Sequence, residues 1–412
     1  MTRPDHPPDH PPRRDEGLRR LRDFVPRAGR AYAAGRNHDR PGHPDVSVLS
    51  PYIRHRLISE DEVLRAVLGR HSPAAAEKFV QEVFWRTYWK GWLEMRPGVW
   101  TAYRAELSRA LDRIATEGGL RRDWEAACRG ETGIDCFDHW ARELVETGYL
   151  HNHARMWTAS IWIFTLRLPW VLGADFFLRH LLDGDAASNT LSWRWVAGLQ
   201  TPGKHYIARA ENIARHTGGR FDPRGQLDEA PRPLEGPPPP PRQPIAPGGW
   251  PDPARRTGIV LTEDDLSPGF AVAGLQVAAT LVVPGVGSRS PLAVAPRVES
   301  FTRGAIADAL SRHAAQLGEV TVLEAAEPSA LSDWARAQNL DQIVLPHVPT
   351  GPAADRLAPL LAEARGRGLD VVRVLRPYDA AAWPHATAGF FRFREAIPRL
   401  IDDLGLAPGG MR

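Results

Sequence analysis

From Leu18 to about Gly225 apolar residues recur at spacings of three and four, as in LRAVLGRH (64–71) and FVQEVFWRTYWKGWLEM (79–95). That period predicts amphipathic helices, broken by hydrophilic stretches such as ATEGGLRRD (115–123). Beyond residue 256 the pattern changes to short β-branched runs: GIVLT, ATLVV, VTVLEA, QIVLPH and LDVVRVL. Helical stretches alternate with several of them (RGAIADALSRHAAQL, SALSDWARAQ, AADRLAPLLAEARGRG), which predicts a parallel α/β sheet of Rossmann-like type. No glycine-rich dinucleotide fingerprint follows the first of these strands. Between the two patterns lies EAPRPLEGPPPPPRQPIAPGGWPDPARR, which can form neither helix nor ladder and reads as a semi-rigid polyproline spacer. The predicted organisation is a disordered tail over 1–17, a helical domain over 18–228, a Pro-rich linker over 229–256 and an α/β domain over 257–412.

Composition narrows this further. A chain of 412 residues exceeds one compact domain, so two cores are expected. The net charge of +3 permits a nucleic-acid partner without requiring one. Two cysteines, Cys128 and Cys136, are too few for a disulfide framework or a four-thiolate metal site, and a reducing cytoplasm is the expected compartment. MWTASIWIFTLRLPWVLGADFF (156–177) is apolar throughout, but Arg167 and Pro169 fall inside it, so it reads as core helix and no membrane partner is expected.

The most chemically suggestive stretch runs from Glu146 to Trp195. Within a helix predicted over GYLHNHARMWTASIWIF, Asn152, Arg155 and Met156 share a face at i, i+3, i+4. Asp183-Gly184-Asp185 then interrupts the helical pattern, and Asn189 and Trp193 stand one turn apart. An Arg in apolar surroundings needs an anion, and Asp183 or Asp185 is the available partner. The bland alternative is an ion pair that merely ties two helices together.

HNHARM, LLDGDAASN and WRW in this order resemble the flavin-binding helical domain of the photolyase and cryptochrome family. Upstream, VSVLSPYIRHRLIS (46–59) resembles that family's phosphate-binding entry, QEVFWRTYW (81–89) its Glu-x-x-Trp-Arg-x-x-x-Trp helix, and ETGIDCFDHWARELVETGYLHN its helix leading into the site. The matches stay collinear from about Tyr32 to Trp195. FAD is the cofactor this implies. Its phosphates would meet Ser47, Val48, Leu49 and Ser50, with Arg86 on a phosphate or an acidic neighbour and Tyr32 nearby; read alone, SVLSP is equally an ordinary N-cap. Against the ring the resemblance sets Arg155 with Asp183, Asp185 at the polar edge and Asn189 at the reactive side, where a neutral amide suits a fully reduced flavin.

Above the ring, the family's repair enzymes hold a flipped-out pyrimidine dimer. Glu82, Trp85, Asn152, Met156 and Trp195 fall on that pocket's positions, with the two indoles available as a sandwich. Relatives that repair (6-4) photoproducts carry histidines where Asn152 and Met156 stand, which disfavours that substrate. The implied activity is light-driven splitting of cyclobutane pyrimidine dimers in damaged DNA by an electron from reduced flavin. The alternative is a cryptochrome-like blue-light photoreceptor that signals to a protein partner.

Three departures stand beside the resemblance. Trp193 and Trp170 match the near and middle members of the family's tryptophan electron relay, but the outer position falls on Glu117; Trp124, Trp157 or Trp162 are substitutes, and all these indoles are otherwise ordinary core. The usual ending after WRWVAG is replaced by LQTPGKHYIARAENIARHTGGRF (199–221), whose Lys204, Arg209, Arg215 and Arg220 either track phosphates or cap the helical domain. Finally, GIVLTEDDLS resembles the opening strand of the family's antenna-type α/β domain and GFFRFREAIP (389–398) its connecting segment, so the domain order is read as swapped; an unrelated docking domain is the other reading. A second chromophore and the oligomeric state stay open.

Overall fold

The computed structural model describes residues 10–325 and 327–408. It is mostly helical, with one small sheet of five parallel strands toward the C-terminal end. The two predicted helices 64–71 and 79–95 fall in Glu60–Leu68 and Pro73–Glu94, and each has a chemical start signal. Ser59 forms a capping box with Glu62, and Ser72 accepts from the Ala75 N–H just ahead of Pro73. Both devices satisfy first-turn N–H groups that have no partner within a helix. The predicted break at ATEGGLRRD contracts to Glu117 alone, which ends helix Gly98–Thr116 and opens Gly118–Arg129.

The long apolar run is two helices rather than one. Gly148 closes helix Asp135–Thr147 in the left-handed conformation, so residues 148–151 are not helical as expected. The next helix spans Asn152–Ser160, with the His151 ring accepting from the His153 N–H. A π-helical turn at Ile161–Thr165 follows, and Arg167 (φ 54°) and Pro169 separate it from helix Trp170–His180. No helix among the described residues is long and apolar enough to cross a membrane.

All five predicted strands form: β1 (Thr257–Leu261), β2 (Val277–Val282), β3 (Glu319–Val322), β4 (Gln342–Pro346) and β5 (Val371–Val374), in the order β3-β2-β1-β4-β5. The central β1 and β4 are buried along their whole length, which is why they read as continuous apolar runs; edge strand β3 is exposed. The chain reverses its direction of strand addition between β1 and β4, where an open α/β sheet usually offers a ligand crevice at its carboxyl edge.

The expectation of two separate cores is replaced by one dominant core and three small clusters around the sheet. The dominant core takes in the N-terminal helices together with Val298, Phe301, Tyr378, Phe390, Phe393 and Leu400 from the C-terminal half. Apolar faces on helix Pro296–Arg312 and on the C-terminal helices complete the helical bundle.

The expected spacer is a strap laid on the surface. Leu234 N–H donates to Ala197 O, Gln243 N–H to Met95 O and Gly249 N–H to Arg373 O, at 2.7–2.9 Å, while Leu234 and Ile245 pack on the core. Extended chain without internal hydrogen bonds has its N–H groups free, and the neighbouring carbonyls take them. The expected disordered tail is likewise corrected for residues 10–17: helix Arg14–Phe24 includes its end, Pro12 packs over Gly304 and His10 is buried between Tyr52 and Tyr149. Residues 1–9 of that predicted tail lie outside the described residues.

Helix Pro73–Glu94 carries much of the site, and its close contact with the C-terminal half is at Gly91, where a Cβ would sit 2.9 Å from Trp383 Cα. Backbone cannot swing aside, so Gly91→Ala is expected to lower the unfolding free energy in urea by about 1–3 kcal/mol through overpacking; an unchanged midpoint counts against this packing.

Candidate functional site

Four segments converge on one cavity of about 580 Å³. Helix Pro73–Glu94 presents Glu82, Trp85, Arg86 and Trp89, at spacings that return to the same face. Helix Asn152–Ser160 presents Asn152, Arg155 and Met156. The Asp183-Gly184-Asp185 turn and helix Ala186–Ala197 contribute Asn189, Trp193 and Trp195, and the N-terminal part supplies Tyr32 and Ser47, Val48, Leu49 and Ser50. Of the site residues predicted from sequence, only Trp170 lies away from this lining.

Local geometry fixes the polar groups. Arg155 Nη2 meets Asp183 Oδ2 at 3.0 Å, and Arg155 Nε donates to Leu150 O. Burial alone would raise the Asp183 pKa, but Arg155, aided by the Ser50 hydroxyl, holds it below the ordinary value. Asp185 caps helix Ala186–Ala197 by accepting from Ser188 N–H at 2.8 Å. It also faces Arg54, Arg86 and Lys90 at 3.7–3.9 Å; burial opposes its charge, yet these cations hold its pKa well below the usual carboxylate range. Asn189 donates its amide N–H to Ala174 O at 2.7 Å, which fixes the direction of the side chain. Val48 sits at φ 51°, an uncommon conformation for a β-branched residue, in the turn that leads into Ser50.

The Asp183–Asp185 turn is held from the far side of the molecule. Arg54, fully buried, donates through Nε to Gly184 O at 2.8 Å and pairs with Asp264 just past β1. Arg289 donates to Leu181 O at 3.1 Å and lies so close that a Cβ on Gly184 would meet it at 2.9 Å. A second buried group joins Arg56 to Glu60, Asp265 and Asp379, with Arg376 on Asp265. The carboxyl edge of β1 is therefore filled by arginines of the helical half.

Sequence reasoning missed Arg36, Tyr149, Arg54 and Lys90. Arg36 lines the cavity and forms an ion pair with Glu82, so that carboxylate is already engaged. Its signal was available in the i, i+4 spacing from Tyr32, whose hydroxyl is bonded to it. The two indoles are backed by other rings: Trp85 stacks on Phe390 with centroids 3.6 Å apart, and Trp195 stacks on Tyr206 at 5.5 Å. Trp193 meets Trp162 edge-to-face at 6.2 Å, both packed against Gly173. Trp170 instead donates its Nε1–H to Glu106 and packs against Tyr103. In segment 199–221, Arg220 pairs with Asp39 and Arg215 with Glu211, while Tyr206 and Ala208 bond back to Val196 O and Ser160 Oγ. These ties favour capping for that segment.

Residues 79–227 match the family model described as the FAD binding domain of DNA photolyase. The likeness to photolyases lies in this helical part of the chain.

Among photolyase relatives, the deoxyribodipyrimidine photo-lyase of Vibrio cholerae is 29% identical over 218 residues, covering 50% of this chain and 44% of its own length. That of Streptomyces griseus is 33% identical over 192 residues (45% and 39%), and that of Thermus thermophilus 33% over 217 (52% and 49%). The chain thus spans less than half the length of these photolyases. A bacterial class III photolyase structure from Agrobacterium tumefaciens aligns at 29% identity with a TM-score of 0.43, over 50% of this chain and 43% of that one.

The cavity fits the photolyase cofactor, FAD. Its volume suits a cofactor-sized ligand. On its lining, Arg86 Nη1 and Trp193 Nε1 are buried polar atoms with no hydrogen-bond partner, one of them cationic, which are donors a diphosphate or an anionic ring can use. Phe177, Leu181 and Val196 supply apolar wall for a flat ring.

Two predictions follow from this electrostatic design. Asp264→Ala leaves Arg54 buried without its closest carboxylate and should cost about 3–5 kcal/mol of stability in urea; a loss below 1 kcal/mol would remove the pair from the account. The second concerns acid. Burial lowers the pKa of His10 from 6.5 to about 3, so the folded state resists a proton that the unfolded chain accepts. Stability is therefore complete above pH 6.5 and falls as pH drops from 6.5 toward 3. His10→Phe removes this titration, so its melting temperature relative to the wild type should rise steadily across that window; a constant difference across it would contradict the assignment.

Proposed function

We propose that this protein is a FAD-dependent, light-driven lyase that splits cyclobutane pyrimidine dimers in DNA. The observation that carries this reading is the convergence, on a single cavity, of the Arg155–Asp183 pair and Asn189 with Glu82, Trp85, Asn152, Met156 and Trp195. The first group suits the isoalloxazine ring; the second suits an apolar base pair with polar edges. Residues 18–228 would form the cofactor domain and 257–412 a relocated antenna-type domain.

Reduced FAD supplies the electron for ring opening when light excites it. The chain's part is position, polarity and exclusion of water. Arg155, fixed by Leu150 O and Asp183, offers a stationary positive charge beside the ring. Asn189, anchored on Ala174 O, offers a neutral amide that neither forces nor forbids a proton at the ring. Trp85 and Trp195, each backed by a second ring, are stiff surfaces on which stacked pyrimidines can rest without reorganisation. Arg36 keeps the Glu82 carboxylate in place as an acceptor for a base N–H, and Asn152 stands exposed at the rim. Trp193 lies beside the ring site and is the proposed first donor for recharging the flavin, with Trp170 or the adjacent Trp162 behind it.

The test is illumination of the FAD-loaded protein with DNA containing thymine dimers, against a dark control. Light-dependent loss of dimers is expected, and Glu82→Ala should slow it about tenfold while FAD stays bound, as loss of one hydrogen bond to a polar edge implies. Intact dimers with fully reduced flavin would exclude repair and leave the photoreceptor alternative. Full activity in Glu82→Ala would remove that residue from the pocket.

A further inference from the structure

Among the large apolar side chains exposed in the described residues, Trp250 stands furthest into water, at 94% exposed. Single apolar groups on a surface need no explanation by themselves, but the chain around this one is pinned. Gly249 N–H donates to Arg373 O at 2.7 Å, and Asp252 N–H donates to Gln342 Oε1 at 3.1 Å. The Arg373 guanidinium reaches the same strap, donating to Ala246 O and Pro247 O. Backbone bonds to the sheet on both sides of Trp250 keep the indole from folding onto its own surface.

A matching hollow lies beside the strap. A second cavity, of about 300 Å³, opens between helix Pro352–Gly366 and the ends of β4 and β5. Leu345, Val348, Leu357 and Leu361 give it an apolar floor, and Arg365 and Arg373 stand at it as cations. Arg373 joins the two features, since its side chain both lines the hollow and bonds the strap. Arg365 is exposed and has no carboxylate partner among the described residues, while the exposed Asp252 follows Trp250 by two positions. One edge of the molecule thus carries a fixed aromatic knob with an acid behind it and an apolar hole with a spare cation. A patch that holds both halves of a contact is complementary to itself under a two-fold rotation. We propose that two copies of this chain pair through this edge, each Trp250 entering the other's hollow with its Asp252 on the other's Arg365. Tryptophan in an apolar pocket is the usual energetic centre of such an interface, and a guanidinium beside its ring adds to it. No residue lines both this hollow and the FAD-sized cavity, so the pairing stands apart from the lyase reading.

The experiment is sedimentation of the full chain across a concentration series. A reversible equilibrium between one copy and two is expected. Trp250→Ala removes the knob, and Ala358→Glu blocks the hole with a charge on an exposed helical position that lines it. One hot-spot side chain is worth about 30-fold in affinity, and a two-fold interface loses two, so each variant alone should pair about 1000-fold more weakly. Mixing the two variants restores one intact knob and hole, so the mixed pair should bind about 30-fold more tightly than either variant binds itself. A wild-type chain that stays single, or one that grows into open polymers, overturns the proposal. So does a mixture that gains nothing, or a pairing that Ala358→Glu leaves unchanged.

Discussion

The structure depends on a buried lattice of charge between the helical half and the carboxyl edge of the sheet. Arg54, Arg56, Arg289 and Arg376 meet Glu60, Glu263, Asp264, Asp265 and Asp379 in a region closed to solvent. Such groups are costly to bury, and the lattice persists because each guanidinium has more than one partner or a backbone carbonyl. Its imbalance is visible at two members: burial, then the neighbouring Asp264 charge, raise the Glu263 pKa, and burial beside Arg54 lowers that of Arg289 to about 10. What the lattice secures is orientation. Two of its members grip carbonyls at Leu181 and Gly184, so the turn bearing Asp183 and Asp185 is set by the sheet as much as by its own helices.

This arrangement changes the role of the α/β half. The crevice at which such a sheet would ordinarily receive a ligand is filled by side chains of the neighbouring bundle. The sheet acts as a socket there, and the dominant core continues through the C-terminal helices. The cavity lies on the other side of the same contact, with Trp85 backed by Phe390 from the end of the chain. Its lining residues fall between Tyr32 and Val196, and the C-terminal half supports that wall from behind.

Much of this was legible in advance, for a physical reason. Residues such as Asn152, Arg155, Asp183, Asn189 and Trp193 sit on regular helices with characteristic spacing, so motif order and helical period together put them on one wall. The five strands were legible because burial on both faces leaves an uninterrupted apolar run. Less was legible where the partner is distant in sequence: nothing in VSVLSPYIRHRLIS announces that Arg54 and Arg56 need the acidic triplet after β1, since any of many carboxylates would satisfy a lone guanidinium. The same holds for Arg36 on Glu82. The strap was misjudged because proline content reports on local stiffness and is silent about neighbours, and His10 because a polar, Pro-rich composition hides one ring that fits between two tyrosines.

The strap has a consequence of its own. Its ends are held by Ala197 O and Arg373 O, while the bundle and sheet are joined by shared core and buried ions that do not involve it. Covalent continuity across 236–241 thus contributes to assembly, by keeping the parts at high effective concentration, more than to cohesion afterwards. A molecule nicked there by a protease would stay in one piece, and two separately translated fragments would have the information to find each other. Contact in this fold is in that sense independent of the order in which the chain presents its parts.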